Sequence, residues 1–388
     1  MTIPDPVALA QALIRCPSVT PADAGALTVL ESALKPLGFS CHRLRFEEAG
    51  TAAVENLYAR IGTQGPNFCF AGHTDVVPPG DAKLWRHDPF SAVIEDGTLY
   101  GRGAADMKSA VAAFVTAAAR YLSTGKPYGS LSLLITGDEE GIAINGTPKL
   151  LNWLGEQGER LDHCLVGEPT STTRAGDTIK IGRRGSMNVR LTVRGTQGHV
   201  AYPGNAANPL PAIAALVSRL SSQVLDKGTA HFDPSTLAFT TIDTGNAATN
   251  VIPAAAKAGF NIRFSDLHTP DSLKARIATV VAAVQREFAC EIETIYQISG
   301  VAFLTTPGAF TELLSNAAQK VTGTRPDYST TGGASDARFI KDHCPVAELG
   351  LSNATMHKAN ECATIADIHL LADIYSEVIA AYFANPPR

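Results

Sequence analysis

The sequence of 388 residues is 45% hydrophobic and 18% charged, which is typical of a folded globular protein and excludes an intrinsically disordered chain. At roughly 150 residues per domain, this length predicts two or three domains. With 32 basic and 37 acidic residues the net charge is -5, so the chain has no general attraction to phosphate backbones, and we expect no nucleic-acid partner.

Patterns typical of export, membrane insertion or disulfide bonding are missing. The first residues contain Asp5 and two prolines and lack the basic segment of a secretory signal. The longest apolar run, residues 110–119, is far shorter than the roughly 20 residues of a membrane span. Seven scattered cysteines without a CxxC pair argue against disulfides and a thiolate zinc site. We therefore expect a cytoplasmic protein with no membrane partner.

In chain order, helix-like and strand-like segments alternate, which favours an α/β fold. Helices are predicted over 5–15 and 23–36, and an Ala-rich segment predicts another over 105–122.

Apolar strands are predicted over 67–71, 130–136 and 163–166. Each strand is followed by a glycine and then by a histidine or an acidic residue. Ligands of open α/β sheets bind beyond the carboxyl ends of the strands, so these three ends predict one shared site.

After Lys180 the pattern changes to a strand-helix-strand-strand-helix-strand order, which suits an α+β domain of about 115 residues. We therefore expect a discontinuous domain of residues 1–182 and 298–388, with residues 183–297 inserted into it. The remaining predicted elements are strands over 187–194, 237–242, 254–264 and 346–349, and helices over 209–225, 271–288, 309–321, 335–341 and 366–383.

Side chains suited to metal binding follow several of these elements. His73 and Asp75 lie two residues apart at a strand end and point the same way, so Asp75 could hydrogen-bond the imidazole and fix its tautomer. Asp106 stands near the start of the Ala-rich helix, either as its N-cap or as a carboxylate that bridges metal ions.

The run Asp138, Glu139 and Glu140 is either a solvated turn or a group of acids neutralised by a divalent cation. Glu168 follows another strand, and His357 precedes the last helix. Together these residues match a mixed nitrogen and oxygen site for Zn²⁺, with Co²⁺ or Mn²⁺ as substitutes. A phosphate-binding loop over 101–108 is disfavoured because the GxxxxGK[ST] spacing is missing.

Eight strings, in order, resemble the M20 family of co-catalytic zinc peptidases over essentially the whole chain: GHTDVVPPG, GRGAADMK, TGDEEG, GEPT, GRRGS, GHVAYP, TGGASDARF and MHKANE. Several of them are most similar to the branch that hydrolyses the succinyl amide of N-succinyl-L,L-2,6-diaminopimelate, in lysine and diaminopimelate biosynthesis. The resemblance implies a mixed-sheet catalytic domain with helices on both faces. It also implies a ferredoxin-like insert that acts as a lid and as the homodimer interface.

The resemblance further implies two zinc ions per subunit, with Co²⁺ as a substitute. His73 and Glu168 would bind one ion, Glu140 and His357 the other, and Asp106 both. The peptide bond that follows Asp106 would be cis.

By the same resemblance, Asp75 orients the first histidine and Glu139 is the general acid and base. His199 would reach into the partner subunit's site and stabilise the oxyanion. The substrate's carboxylates call for arginines, which bind such groups with two hydrogen bonds. Substrate contacts are expected from Arg183, Arg184, Ser186, Asn250, Arg263, Thr331, Gly332 and Gly333.

Two alternatives remain open. Another M20 amidohydrolase, such as an N-acetylornithine deacetylase or an aminoacylase-like or dipeptidase-like enzyme, would share the metal residues, although the GRRGS string favours the succinyl branch. A non-catalytic ligand-binding relative would lack the general base, and Glu139 is present.

Overall fold

The computed structural model describes residues 2–125 and 128–387. The chain forms two compact units. Unit 1 comprises Met1–Ile181, Thr305–Ser329 and Ser335–Arg388, and unit 2 comprises Gly182–Leu304 and Thr330–Ala334. No helix among the described residues is long and apolar enough to cross a membrane.

Unit 1 is built on a mixed sheet. Its central strand pairs in parallel with a neighbour on each side, whereas the strands at one edge are antiparallel. The three central strands are almost wholly buried, as expected of short apolar runs. In sheet order the strands are β1 (Ser40–Phe46), β2 (Val54–Ile61), β6 (Ser130–Thr136), β3 (Asn67–His73), β7 (His163–Val166), β18 (Val346–Glu348), β8 (Thr178–Lys180) and β17 (Asp327–Ser329).

Helices of unit 1 pack on this sheet through aromatic side chains. Phe70 of β3 stacks on Phe114 at a centroid distance of 4.2 Å, and Tyr375 meets both rings edge-on. The predicted α/β fold with a mixed sheet is therefore confirmed. The helices are α1 (Pro6–Ile14), α2 (Ala26–Leu34), α3 (Lys108–Ser123), α4 (Thr147–Glu156), α7 (Ala309–Thr322), α8 (Ala337–Ile340) and α9 (Ile365–Ala384), and a small sheet joins β4 (Ile94–Glu95), β5 (Thr98–Tyr100) and β19 (Cys362–Thr364).

Unit 2 contains an antiparallel sheet in the order β12-β14-β10-β15, formed by β10 (Gly185–Arg194), β12 (Thr236–Asp243), β14 (Ala255–Phe264) and β15 (Glu291–Gly300). Together with α5 (Leu210–Ser221) and α6 (Pro270–Phe288), the chain order is β-α-β-β-α-β, which is that of the ferredoxin-like fold. The predicted α+β insert is confirmed. Short pieces complete the unit: β9 (Gly182–Arg183), β11 (Gly198–His199), β13 (Val251–Ile252) and β16 (Phe303–Leu304).

Several details differ from the sequence expectations. The Ala-rich helix begins at Lys108, so Asp106 precedes it, and the helix predicted over 209–225 ends at Ser221. Of the residues that we expected in the discontinuous domain, Gly182 and 298–304 belong to unit 2, and so do Thr330–Ala334. Hydrogen bonds explain their placement, because Thr330 donates to the main chain of His231 and Gly333 accepts from Arg183.

Candidate metal centre and substrate-binding residues

Three predicted strand ends come together in unit 1. Strands β6, β3 and β7 are neighbours and run in parallel, with His73 in register with Thr136. The chain continues from β6 into Glu139 and Glu140, and from β7 into Glu168. Because these ends share one edge of the sheet, the side chains that follow them meet there, as the sequence predicts.

Two imidazoles and four carboxylates form the resulting group, which we call the carboxylate cluster. The carboxylates are largely buried and one imidazole is almost fully so. The cluster consists of His73, Asp106, Glu139, Glu140, Glu168 and His357.

Asp106 lies between the two imidazoles. Its Oδ1 is 3.2 Å from Nε2 of His73, and its Oδ2 is 3.2 Å from Nε2 of His357. Beyond these contacts, Glu168 lies 3.6 Å from His73, and Glu140 lies 2.9 Å from His357. The arrangement therefore has two halves that share one carboxylate. The peptide bond that follows Asp106 is cis, as the resemblance implies.

The carboxylates favour protonated imidazoles when no cation is bound. Burial lowers the pKa of His73, but its hydrogen bond to Asp106 and the charges of nearby glutamates outweigh burial and raise that pKa well above its ordinary value. The hydrogen bonds of His357 to Asp106 and Glu140 raise its pKa to about 10. A cation that occupied the cluster would have to displace these protons.

The pKa values of two acids of the cluster are shifted in opposite directions. Burial, followed by the charge of Glu168, raises the pKa of Glu139 well above its ordinary value. Burial acts in the same sense on Asp106, but hydrogen bonds from the two imidazoles outweigh it and lower the pKa of Asp106. A pair of acids separated in this way can divide the work between ligand and proton carrier.

Asp75 contacts different partners from those expected. Nδ1 of His73 lies 2.9 Å from the main-chain oxygen of Asp75, while the nearest carboxylate oxygen is 3.7 Å away. The carboxylate instead accepts from the main-chain N–H groups of Glu139, at 3.3 Å, and Glu140, at 3.1 Å. Thus the main chain of Asp75 contacts the histidine, and its side chain positions the two glutamates.

Two simpler interpretations of single acids are also resolved. Asp106 is not an N-cap, because the residue at that position of α3 is Met107 and no side chain caps the helix. Asp138, the first acid of its run, accepts from the main-chain N–H of Asn145 at 3.0 Å and is buried, so it closes a loop and is not solvated.

The donor set fits divalent cations. It offers the mixture of imidazole nitrogen and carboxylate oxygen that Zn²⁺ and Co²⁺ accept. Ligand atoms of His73, Asp106 and Glu140 lie within 4.8 Å of one another, as do those of His73, Glu139 and Glu168. Four carboxylates also outnumber two imidazoles even when both are protonated. An added positive charge would therefore stabilise the cluster.

The eight residues expected to contact substrate all belong to unit 2. Arg184 and Arg263 are close enough for their charges to interact. Burial, and then the charge of Arg184, lowers the pKa of Arg263. In the described part of the chain neither guanidinium forms an ion pair, and Nε of Arg184 is buried without a hydrogen bond. Ser186 pairs with Arg263 across strands β10 and β14. These groups form a positively charged patch suited to an anion.

A glycine-rich loop packs against the third arginine. Arg183 is buried and donates from Nη1 to the main-chain oxygen of Gly333 at 3.1 Å. Gly332 has φ +102°, and a Cβ atom there would lie only 2.7 Å from Nη1 of Arg183. The left-handed backbone and this close approach both favour glycine at position 332, and Thr331 precedes it in the same loop.

His199 and Asn250 lie at a small two-stranded ribbon. His199 is exposed and lies in β11, which pairs with β13. Its Nδ1 accepts from the main-chain N–H of Ala201 at 3.1 Å, so in the neutral ring the proton is on Nε2. The exposed nitrogen can then donate a hydrogen bond. Asn250 is exposed, and its main-chain oxygen accepts from Val200.

Sequence reasoning missed Arg102 and Glu361, which form a buried ion pair beside the cluster. Both residues stand within strings that carried the family resemblance, next to predicted metal ligands. A charged residue in a glycine-rich loop and an acid after the second histidine were the available signals, but their pairing joins positions 259 residues apart.

Comparison with known proteins shows the family. The model for peptidase family M20/M25/M40 matches residues 69–381. A protein named succinyl-diaminopimelate desuccinylase from Rhodospirillum centenum is 59% identical, with 98% of each chain covered. A protein of the same name from Parvibaculum lavamentivorans is 58% identical over 98% of this chain and 96% of its own.

Solved structures share the fold at low sequence identity. A tripeptidase from Staphylococcus aureus has a TM-score of 0.82 at 19% identity, with 98% of each chain covered. A dinuclear metal-binding peptidase of the M20 family from Bacillus subtilis has a TM-score of 0.72 at 13% identity and the same coverage. By its sequence match over most of its length, this chain belongs to peptidase family M20/M25/M40.

Proposed function

We propose that this protein is a succinyl-diaminopimelate desuccinylase of lysine and diaminopimelate biosynthesis. It hydrolyses N-succinyl-L,L-2,6-diaminopimelate to succinate and L,L-2,6-diaminopimelate. The observation that carries the proposal is 59% identity, across 98% of both chains, to a relative of that name. The complete carboxylate cluster supports it, because a relative without catalytic function would have no need of a buried general base.

The residues divide into two metal positions that share Asp106. His73 and Glu168 would hold one Zn²⁺, and Glu140 and His357 the other. The family resemblance gives this division, and the distances support it, since each oxygen of Asp106 faces a different imidazole at 3.2 Å. When bound, such ions polarise an amide carbonyl and lower the pKa of water to about 7.

Glu139 would move the proton in this reaction. It lies 3.9 Å from His73 at the edge of the cluster, and the positions proposed for the metals leave it uncommitted. Its raised pKa suits a group that alternately accepts and releases a proton near neutrality. Glu139 takes a proton from the attacking water as the C–O bond forms, and gives it to the amine nitrogen as the C–N bond breaks.

Substrate recognition would come from unit 2. The substrate has a succinyl carboxylate and two further carboxylates on the diaminopimelate part, and arginine binds such groups through paired hydrogen bonds. Arg184 and Arg263 supply adjacent guanidinium groups without ion-pair partners in the described chain. Ser186 and Asn250 would assist them, and the loop of Thr331 to Gly333 would add main-chain donors.

The homodimer is part of the proposal. His199 is exposed, and its Nε2 is free to donate once Nδ1 accepts from Ala201. Such a donor could stabilise an oxyanion in the active site of a second subunit. A variant that stays monomeric and keeps full activity would refute this role.

The function is tested by assaying hydrolysis of N-succinyl-L,L-diaminopimelate and of N-acetylornithine in parallel, with chelator-treated protein as the control. We expect turnover of the succinyl substrate alone, lost on chelation and restored by Zn²⁺ or Co²⁺. Turnover of the acetyl substrate alone would assign another amidohydrolase activity and contradict the roles given to the arginines. No turnover of either substrate with two ions bound would overturn the proposed reaction.

A further inference from the structure

Arg102 and Glu361 form an ion pair buried next to the carboxylate cluster. Nη1 of Arg102 lies 2.6 Å from Oε2 of Glu361, and the two side chains are 2% and 0% exposed. Burying an ion pair removes two charges from water, and the attraction between them only roughly offsets that cost. A buried ion pair therefore contributes little to the stability of the fold. The hydrogen bonds of this pair indicate a different role.

Glu361 holds the main chain of the central carboxylate residue. Its Oε1 accepts from the N–H of Ala105 at 2.9 Å and from the N–H of Asp106 at 3.0 Å. In addition, the main-chain oxygen of Glu361 accepts from Gly101. The segment that leads into Asp106 is thus fixed by a residue that lies four positions after His357.

Arg102 holds the segment that carries the second imidazole. Its Nη1 also donates to the main-chain oxygen of Lys358 at 3.2 Å, and its Nη2 makes a longer contact of 3.5 Å with that of His357. The guanidinium lies 5.2 Å from the ring centre of Trp85, which covers it. His357 has φ +60°, so its backbone needs support from its surroundings.

The two imidazoles are therefore supported in different ways. His73 ends strand β3, which is paired on both sides, and its Nδ1 contacts the main chain of Asp75. His357 lies outside the helices and strands. Arg102 contacts the main chain of His357 and Lys358, and the main chain of Glu361, four residues further on, accepts from Gly101.

We propose that Arg102 and Glu361 are positioning residues that set the spacing between Asp106 and His357, and thereby the affinity of the second metal position only. The inference rests on the proposed dinuclear function. Its expected size follows from other metal sites, where removing a residue that orients a ligand costs about 10–100-fold in metal affinity.

The test uses Glu361→Gln, which keeps an oxygen for the two N–H groups but removes the charge that holds Arg102. Chelator-treated wild type and variant are titrated with Co²⁺ by calorimetry and by visible absorption. We expect the first ion to bind as in wild type and the second to bind about 10–100-fold more weakly. Arg102→Lys keeps the charge but loses the forked contacts, so it should weaken the second ion in the same way. It serves as the test if Glu361→Gln does not fold.

A second comparison assigns the effect to the His357 segment. In a His357→Asn background the second position is already lost, so adding Glu361→Gln should cause no further change in Co²⁺ affinity. Equal weakening of both ions, or a further loss in this background, would overturn the proposal.

Glu159→Gln is the matched control, because it breaks another ion pair of unit 1, Arg60–Glu159, away from the cluster. Thermal unfolding compares the stability of Glu159→Gln with that of Glu361→Gln. Glu159→Gln should leave both Co²⁺ affinities unchanged. Wild-type affinities in folded Glu361→Gln would show that the pair is only structural and would contradict the inference. Failure of the wild type to bind two ions would instead contradict the dinuclear function itself.

Discussion

Unit 1 buries two neighbouring groups of charged side chains that reach electrostatic balance in different ways. Arg102 and Glu361 neutralise each other, and the Nη atoms of Arg102 and Oε1 of Glu361 also contact main-chain groups. The carboxylate cluster contains four acids and two imidazoles, so protein charges alone leave it negative.

The difference separates a structural role from a binding role. Buried charges that pair internally need nothing from solution and can hold the backbone in place. An excess of buried carboxylates is unfavourable until a cation or protons enter. Arg102 and Glu361 each lie four residues from a member of the cluster, Asp106 and His357, and the balance of charge distinguishes the two groups.

Metal removal should have the largest effect, because it takes away the charge that the cluster lacks. We expect chelation to abolish hydrolysis and added Zn²⁺ or Co²⁺ to restore it. In the metal-free protein both imidazoles hold protons at pH 7, since the pKa of His357 is about 10 and that of His73 is well raised. Metal affinity should therefore rise with pH, with about one proton released per imidazole.

Calorimetry in two buffers that differ in ionisation enthalpy measures this proton release. His357→Asn is the control, because it removes one of the two titrating imidazoles and should lower the number of protons released by about one. Metal affinity that is independent of pH between 6 and 8 would contradict the charge-balance argument.

Glu139→Gln should have the next largest effect. It removes the proton carrier and leaves the proposed ligands in place, so kcat should fall about 10²–10⁴-fold while two ions remain bound. The measurement combines steady-state kinetics with metal analysis of the purified variant.

Glu140→Gln provides the comparison, since it makes the same change, one carboxylate oxygen to an amide nitrogen, at the neighbouring residue. Glu140 lies 2.9 Å from His357 and is a proposed ligand, so this variant should lose one ion. If Glu139→Gln lost metal and Glu140→Gln kept it, the two roles would have to be exchanged.

Asp75→Asn should have a smaller effect, directed at the glutamates. The two carboxylate oxygens of Asp75 accept from the main chain of Glu139 and Glu140, and an amide group can replace only one of them. We expect a loss of about 10-fold in kcat/KM and weaker binding of the second ion, in line with other residues that orient ligands.

The first ion should bind Asp75→Asn normally, because His73, the proposed histidine ligand of that ion, contacts the main-chain oxygen of Asp75, which the substitution keeps. Selective loss of the first ion in Co²⁺ titrations would instead support the sequence expectation that the carboxylate orients His73.

The same contrast explains what could be predicted from the sequence. The three strand ends were predictable because a buried apolar run, a glycine and a polar residue follow one another directly along the chain. Strands β1 and β2 were missed. The edge strand β1 is exposed or half-buried along its length and shows no apolar run, and β2 is more buried but Glu55, Asn56 and Arg60 interrupt its apolar residues. The partners of Asp75 and Glu361 depend on loop geometry, which no local pattern encodes.

A carboxylate in unit 2 gives the smallest predicted effect and completes the contrast. Asp226 accepts from the main-chain N–H groups of Gly228, at 2.7 Å, and Ser235, at 3.1 Å. The side chain of Ser265 donates to it at 3.2 Å. Burial acts to raise the pKa of Asp226, but hydrogen bonding from the Ser235 side chain, together with the bonds above, outweighs it and lowers the pKa to about 2.

Asp226→Asn should therefore reduce the free energy of unfolding at pH 7 by about 1–2 kcal/mol, through weaker hydrogen bonds, without any change in metal binding. Because the folded pKa is depressed, this stabilisation is present above the ordinary value near pH 4 and is lost as the pH falls toward 2. Urea unfolding should give a smaller difference between variant and wild type below pH 4 than at pH 7. Asp233→Asn, at an exposed position in the same loop, should change nothing. A difference that did not shrink below pH 4 would show that Asp226 is held by something other than its ionised form.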